Sequence, residues 1–264
     1  MVIACFGHSS DTEGEASDRT FALPEVDKKM LASLSGCKKP IIGVVNAGGN
    51  IEMQGWVPTL KGLIWAFYGG QEAGTAVGEA LFGKINPSGK LPMTFEKKWE
   101  DNPAYNSYYD PDGDKHVAYT EGIFIGYRGY DKLKREVQYP FGYGLSYTTF
   151  KLSDLTVSKP NADGTVEVTC RLANTGKRDG AQVVQAYVGK TESSPVERPE
   201  KELRKFEKVF LQAGESTTVK MTLPKESFMY FDVNSTQFVT DPGTYNIMLG
   251  FSSRDIKIQK NIQY

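Results

Sequence analysis

The sequence predicts an α/β region followed by an all-β region, and three observations carry that prediction. Over residues 1–95 apolar strand-like runs alternate with helical patterns, the signature of βαβ units on a mostly parallel sheet. From about Lys151 the helical period disappears and short alternating runs recur, which reads as a β-sandwich. Turn residues separate those runs at Asp163-Gly164, Asn174-Thr175-Gly176, Ala213-Gly214-Glu215 and Asp241-Pro242-Gly243.

The first strand is expected over Val2 to Phe6. Because the chain opens directly on it, with no basic segment ahead, the expectation is a fold entered part-way and no signal peptide. Pro24 and Glu25 open a helix through Leu34 that Gly36 ends. Strands follow at Pro40 to Asn46 and Gly62 to Phe67, and a second helix at Glu72 to Phe82 stops at Gly83. The loops Gly7 to Asp18 and Asn46 to Gln54 are polar and Gly-rich, and they follow strands at the carboxyl ends where open α/β sheets bind ligands.

The stretch from Asn86 to Phe150 is crowded with Tyr, Gly and Pro and is too aromatic for a flexible linker. Within it, Tyr127, Arg128 and Tyr130 alternate as a strand would. The sandwich strands are expected at Leu152 to Ser158, Thr165 to Asn174, Gln182 to Lys190, Lys205 to Leu211, Ser216 to Leu223 and Gly243 to Phe251. The domain division is therefore 1–95, 96–150 and 151–264.

Thirty-one Lys and Arg against 32 Asp and Glu give a formal net charge of −1, so no whole-chain field favours nucleic acid or an anionic membrane. No apolar run reaches the roughly 18 residues of a spanning helix. Cys5, Cys37 and Cys170 form no CxxC or Cys/His cluster, and no metal site is expected. A P-loop, a dinucleotide fingerprint and HExxH are all missing from the sequence, so no cofactor is expected.

Three long strings are distinctive: Asn86-Pro-Ser-Gly-Lys-Leu-Pro-Met-Thr-Phe95, Tyr119-Thr-Glu-Gly-Ile-Phe-Ile-Gly-Tyr-Arg128, and Tyr139-Pro-Phe-Gly-Tyr-Gly-Leu-Ser-Tyr-Thr-Thr-Phe150. They resemble the glycoside hydrolase family 3 β-glucosidases, as do Val45-Asn-Ala-Gly-Gly-Asn50 and Gly69-Gly-Gln-Glu-Ala-Gly74. Ala173-Asn-Thr-Gly176 and Val209-Phe-Leu-Gln-Ala-Gly-Glu215 are similar to the family's fibronectin type III-like domain. The resemblance covers essentially the whole chain. It implies an α/β sandwich domain truncated at its start, then an immunoglobulin-like, fibronectin type III-like β-sandwich, without the family's N-terminal (β/α)8 barrel.

Retaining glycoside hydrolysis needs two carboxyl groups about 5 Å apart, one as nucleophile and one as acid/base. The resemblance places the nucleophile, an Asp, on the barrel and the acid/base on the loop that here reads Gly7-His-Ser-Ser-Asp-Thr-Glu-Gly-Glu-Ala-Ser-Asp-Arg-Thr20. Glu15, shortly before Asp18-Arg19, matches the acid/base, and Glu13 is the alternative two residues earlier. A general acid needs its pKa raised by burial or a neighbouring carboxylate. Arg19 pulls the other way, and its expected part, with Asp18, is to position the loop through a bidentate ion pair. His8 and Trp56 are weaker candidates for substrate contact, whereas Trp65 reads as core.

The resemblance thus implies a β-linked glucoside or oligosaccharide as substrate, the barrel as partner, export to the periplasm or beyond, and no activity for this chain in isolation. The competing reading is a non-catalytic carbohydrate-binding or domain-docking module.

Overall fold

The computed structural model describes residues 1–264 apart from Ala16 and Pro111. The chain divides into two compact units. The first comprises Met1–Ile85, Phe95–Tyr105 and Glu136–Gln138, and the second Asn86–Thr94, Asn106–Arg135 and Tyr139–Tyr264. The stretch 96–150, expected as a connecting segment, is shared between the two units and forms no body of its own.

In the first unit β1 (Val2–Gly7), β2 (Ile41–Asn46) and β3 (Gly62–Trp65) form a parallel sheet in that order. Val2 lies opposite Ile41, Gly7 opposite Asn46, and Val44 opposite Ile64. The helix α1 (Glu25–Ser33) links β1 to β2, and α2 (Ala73–Leu81) follows β3. Glu25 and Asp27 lie in the first turn of α1, where negative charge meets the positive end of the helix dipole. Asp27 also accepts the N–H of Gly7 at 3.1 Å, which ties the helix to the end of β1. Gly7 itself has φ +139°, and a Cβ there would lie 1.9 Å from the Asn46 carbonyl oxygen, so only glycine lets the chain leave β1 here.

The apolar runs read as strands are buried as such: Ala4, Phe6, Ile41, Val44 and Val45 are all core. Trp65 is half-buried with its ring edge-on to Phe95, 4.7 Å between centroids. The short strands β4 (Phe95–Glu96) and β5 (Val137–Tyr139) make a two-stranded sheet. Glu96 is buried, and the Asn50 amide donates to both its carbonyl and its carboxylate, at 2.9 and 3.1 Å.

In the second unit Tyr127–Lys132 is a helix, α3, and this corrects the expected strand alternation. Gly126, at φ +55°, turns the chain into it. The segment then packs on β-strands of its own unit. The Tyr127 ring stacks on Phe141, its hydroxyl accepts the Leu203 N–H at 2.8 Å, and Asp131 pairs with Lys201 at 2.7 Å and Arg254 at 3.1 Å.

The sandwich has one sheet of β6 (Phe150–Val157), β7 (Val166–Asn174) and β10 (Ser216–Leu223), in the order β10-β7-β6. The other comprises β8 (Gly180–Lys190), β9 (Glu202–Leu211), β13 (Thr244–Gly250) and β14 (Ile256–Gln263), in the order β14-β13-β8-β9. Between β10 and β13 a hairpin, β11 (Met229–Asp232) and β12 (Gln237–Thr240), pairs Phe231 with Phe238. Alternate residues point inward as period-two strands require: Val166, Val168, Cys170 and Leu172 face Val184, Ala186, Ile247 and Leu249 in one core. Burial lifts the Cys170 thiol to about 11, so it is an inert thiol inside that core. The strands β11, β12 and β14 were not expected, because their alternation is short or, in β14, broken at Lys260.

The strings that carry the family resemblance bind one another. Asn86 accepts from the Ser146 hydroxyl at 2.9 Å and the Tyr147 N–H at 2.8 Å, and donates to the Asp179 carbonyl. Leu91 and Tyr143 join through their main chains, as do Gly142 and Leu91. Their distinctiveness is explained by close packing: a Cβ on Gly144 would lie 2.2 Å from the Gly89 carbonyl oxygen.

Candidate active site

Three parallel strands deliver three loops to one edge of the sheet, since their carboxyl ends share a direction. The loop after β1 runs from His8 to Thr20, that after β2 from Ala47, and that after β3 from Ala66. The structure knits them together through the carboxylate of Glu13. Its Oε2 accepts the Tyr68 hydroxyl at 2.7 Å and the Gly48 N–H at 3.2 Å, and its Oε1 lies 3.3 Å from Nε of Arg19. Arg19 in turn donates Nη2 to the Asn50 carbonyl at 2.6 Å and Nη1 to the Thr20 carbonyl.

Arg19 makes one ion pair to Glu13 and two carbonyl bonds, not the bidentate pair expected. A Cβ on Gly48 would sit 2.6 Å from Oε1 of Glu13, and one on Gly49 3.1 Å from Nη2 of Arg19. The two glycines make room for the ion pair. Burial acts to raise the pKa of Glu13, but the bonds from Tyr68 and Gly48 and the charge of Arg19 outweigh it and hold the carboxyl below its usual range.

Gly14 and Ser17 form a bridge that closes a turn, and Glu15 lies within it. Glu15 is exposed and, among the described residues, has no hydrogen-bond or ion-pair partner. Asp18 is exposed too. The structure joins Glu13 to Arg19, with Glu15 two residues from Glu13 on the same loop, while Tyr68, Gly48 and Asn50 were not singled out from sequence.

One expectation is corrected. Trp56 is 8% exposed, meets Phe6 edge-on at 5.0 Å and donates its indole N–H to the Glu52 carbonyl, so it is a core residue with no face left for a sugar. His8 is enclosed, its Nδ1 3.1 Å from the Thr12 hydroxyl and its Nε2 without a hydrogen-bond partner among the described residues.

Burial first, then the charge of Arg19, lowers the pKa of His8 below 6.5, against the opposing pull of Glu13 and Asp27. A histidine depressed in the folded state binds more protons unfolded, so its stabilising effect is complete above 6.5 and is lost as pH falls below that value. The urea midpoint of the first unit, followed by tryptophan fluorescence, should fall between pH 7 and pH 5, and His8→Gln should flatten that fall. All three tryptophans, Trp56, Trp65 and Trp99, lie in this unit, so the signal reports on it alone. An unchanged slope in the variant would assign the acid sensitivity to other groups. Glu13, also depressed, adds its loss lower, below about 4.5.

In the second unit Asp110, Asp112 and Asp114 bring carboxylate oxygens within 4.8 Å of one another, the donor set of a hard cation. Those oxygens already accept backbone N–H groups of Gly113, Lys115, Asp114 and His116. Among the described residues no helix is long and apolar enough to cross a membrane.

A short parallel sheet with an acidic loop at its carboxyl edge is thus followed by a two-sheet sandwich. Residues 1–127 match the glycosyl hydrolase family 3 C-terminal domain, and residues 182–253 match the fibronectin type III-like domain. The chain belongs to glycosyl hydrolase family 3. The thermostable beta-glucosidase B of Acetivibrio thermocellus is 40% identical over 266 residues, which take in 100% of this chain and 35% of the relative. The GH3 beta-glucosidase of Bifidobacterium adolescentis superposes with a TM-score of 0.94 at 35% identity, over 99% of this chain and 38% of its own. The beta-glucosidase of Kluyveromyces marxianus, solved in complex with glucose, gives a TM-score of 0.91 at 36% identity, over 99% and 31%. The chain thus spans about a third of the length of these relatives.

Proposed function

We propose that this chain supplies the acid/base carboxylate of a retaining β-glucosidase, Glu15, and that the nucleophilic Asp comes from an N-terminal barrel. The observation that carries the choice of residue is the state of its rival. Glu13 is committed to Tyr68, Gly48 and Arg19 and is held ionised, which disqualifies it as a proton donor. Glu15, on the adjacent turn, is free to reach a substrate oxygen.

In the first step the barrel Asp attacks the anomeric carbon as the glycosidic C–O bond breaks, and Glu15 gives its proton to the departing oxygen. In the second, Glu15 takes a proton from water as that water's oxygen displaces the Asp from the anomeric carbon, restoring both carboxyl groups. Since Glu15 is exposed in this chain, the enclosure a general acid works in would be completed by the barrel.

The test is hydrolysis of a chromogenic β-glucoside by the chain alone and by the chain mixed with a separately expressed family 3 barrel. Turnover only in the mixture, abolished by Glu15→Gln, is the expected result. A folded chain that binds the barrel but stays silent would make it a docking module.

A further inference from the structure

We infer that Glu13, Tyr68 and Arg19 form a clamp that positions the turn bearing Glu15, so that Glu13 and Tyr68 are positioning residues for the acid/base step. The inference rests on the reading of Glu15 given above. Its geometric basis is the placement of the clamp around that turn. Glu13 immediately precedes the Gly14–Ser17 bridge and Arg19 follows two residues after it, so their 3.3 Å ion pair crosses between the two arms of the loop at the base of the turn.

Each arm is then fixed to a different neighbour. The Glu13 arm is held by Tyr68, 55 residues away on the loop after β3, and by the Gly48 amide on the loop after β2. The Arg19 arm is held by the Asn50 carbonyl. Below the turn, the Thr12 hydroxyl contacts His8, and the main-chain N–H groups of Thr12 and Glu13 both donate to the Ser9 carbonyl. The turn is thus supported on three sides, while the side chain at its crest is the one left unbonded.

A proton transfer at a fixed anomeric centre tolerates little displacement of the donor, because a misplacement of about 1 Å can cost on the order of a hundredfold. The most economical use of an ionised, triply bonded carboxylate two residues from the acid is to hold the acid still. The side-chain bonds are charge-assisted, and loss of one such bond is worth about tenfold or more in an equilibrium. Gly48 belongs to the same device: its missing Cβ is the space that Oε1 of Glu13 occupies.

Two readouts on the full chain and its variants test this. Amide hydrogen exchange on the chain alone should rise about tenfold or more at Gly14 to Asp18 in Glu13→Gln, Tyr68→Phe and Gly48→Ala. Exchange in β1 to β3 should stay unchanged, and Glu15→Gln should leave the turn as it was. Unaltered turn exchange in both Glu13→Gln and Tyr68→Phe would overturn the clamp.

In the barrel mixture, a leaving group that departs without a proton separates positioning of the acid from mere damage to the fold. Glu13→Gln and Tyr68→Phe should reduce kcat/KM, which reports the steps up to leaving-group departure, by at least tenfold more on phenyl β-glucoside than on the 2,4-dinitrophenyl substrate. Equal losses on both substrates would reduce the pair to a structural role and overturn the inference. If Glu15→Gln shows no such dependence, the reading of Glu15 fails; if it does and the clamp variants do not, only the clamp fails. A silent wild-type mixture would sink both.

Discussion

Glu15→Gln, assayed with a family 3 barrel, is expected to lose about 10²- to 10⁴-fold in turnover on phenyl β-glucoside, the range a general acid–base group contributes. The glutamine amide fills the same space and keeps the turn, but has no proton to give at the moment the C–O bond breaks. Phenoxide is a poor leaving group and feels that loss fully. Dinitrophenoxide departs unaided, so its release should survive, and the defect then moves to the second step, where water needs a base. Azide attacks without surrendering a proton, and adding it should restore turnover and yield the glycosyl azide. Glu13→Gln should show a weaker azide rescue than Glu15→Gln, because its Glu15 still carries the proton while Glu13 is bonded to Tyr68, Gly48 and Arg19. The reverse pattern, a stronger rescue for Glu13 than for Glu15, would exchange the two roles.

Asp241→Ala is expected to cost the sandwich about 3–5 kcal/mol, the penalty for removing one partner of a buried ion pair and stranding its charge. The Asp241 side chain is 6% exposed and lies 3.1 Å from the Lys190 ammonium, which is itself 2% exposed, and 3.4 Å from Arg198. It also accepts the Ser194 hydroxyl at 2.6 Å. The one carboxylate therefore holds the loop between β8 and β9 against the turn that opens β13. Without it Lys190 is left with the carbonyl oxygens of Asp241 and Pro242, while Arg198 keeps the Met229 carbonyl and the Glu202 carboxylate at 3.7 Å. Asp241→Asn keeps the shape and the acceptor for Ser194 and should lose less. Urea unfolding followed by far-UV circular dichroism measures the effect, and tryptophan fluorescence separates it from the first unit. A loss below about 1 kcal/mol would show that the pair behaves like a surface one.

Much of this molecule is legible from local pattern. The parallel strands and both helices of the first unit lie within a residue or two of where apolar runs, Pro24, Gly36 and Gly83 place them, because hydrophobic period and backbone punctuation act over a few residues. Six of the sandwich strands are legible for the same reason. The strand β14 is not: it alternates around lysines and finds its partner, β13, only through the sheet. The helix α3 is not either, since Tyr127 and Tyr130 lie three apart, a spacing that an alternating reading of short aromatic stretches misjudges.

The acidic loop was visible as a loop after a strand with four acidic side chains and an arginine, and the family resemblance marked it as the place for proton chemistry. What spacing left undecided was which glutamate is free. That depends on Tyr68 and Gly48, 55 and 35 residues from Glu13, which only the parallel sheet brings to the same edge. Tertiary structure likewise moved Trp56 from candidate sugar platform to core, because an indole beside a Gly-rich loop reads alike in sequence whether it faces solvent or Phe6. The sequence by itself determined most of the elements and their order, since these follow from local periodicity and turn residues, and its family resemblance pointed to the loop proposed to carry the chemistry. Only the tertiary structure decided which carboxylate is bonded into the loop and which is left exposed, since that is a matter of hydrogen bonds between segments far apart in the chain.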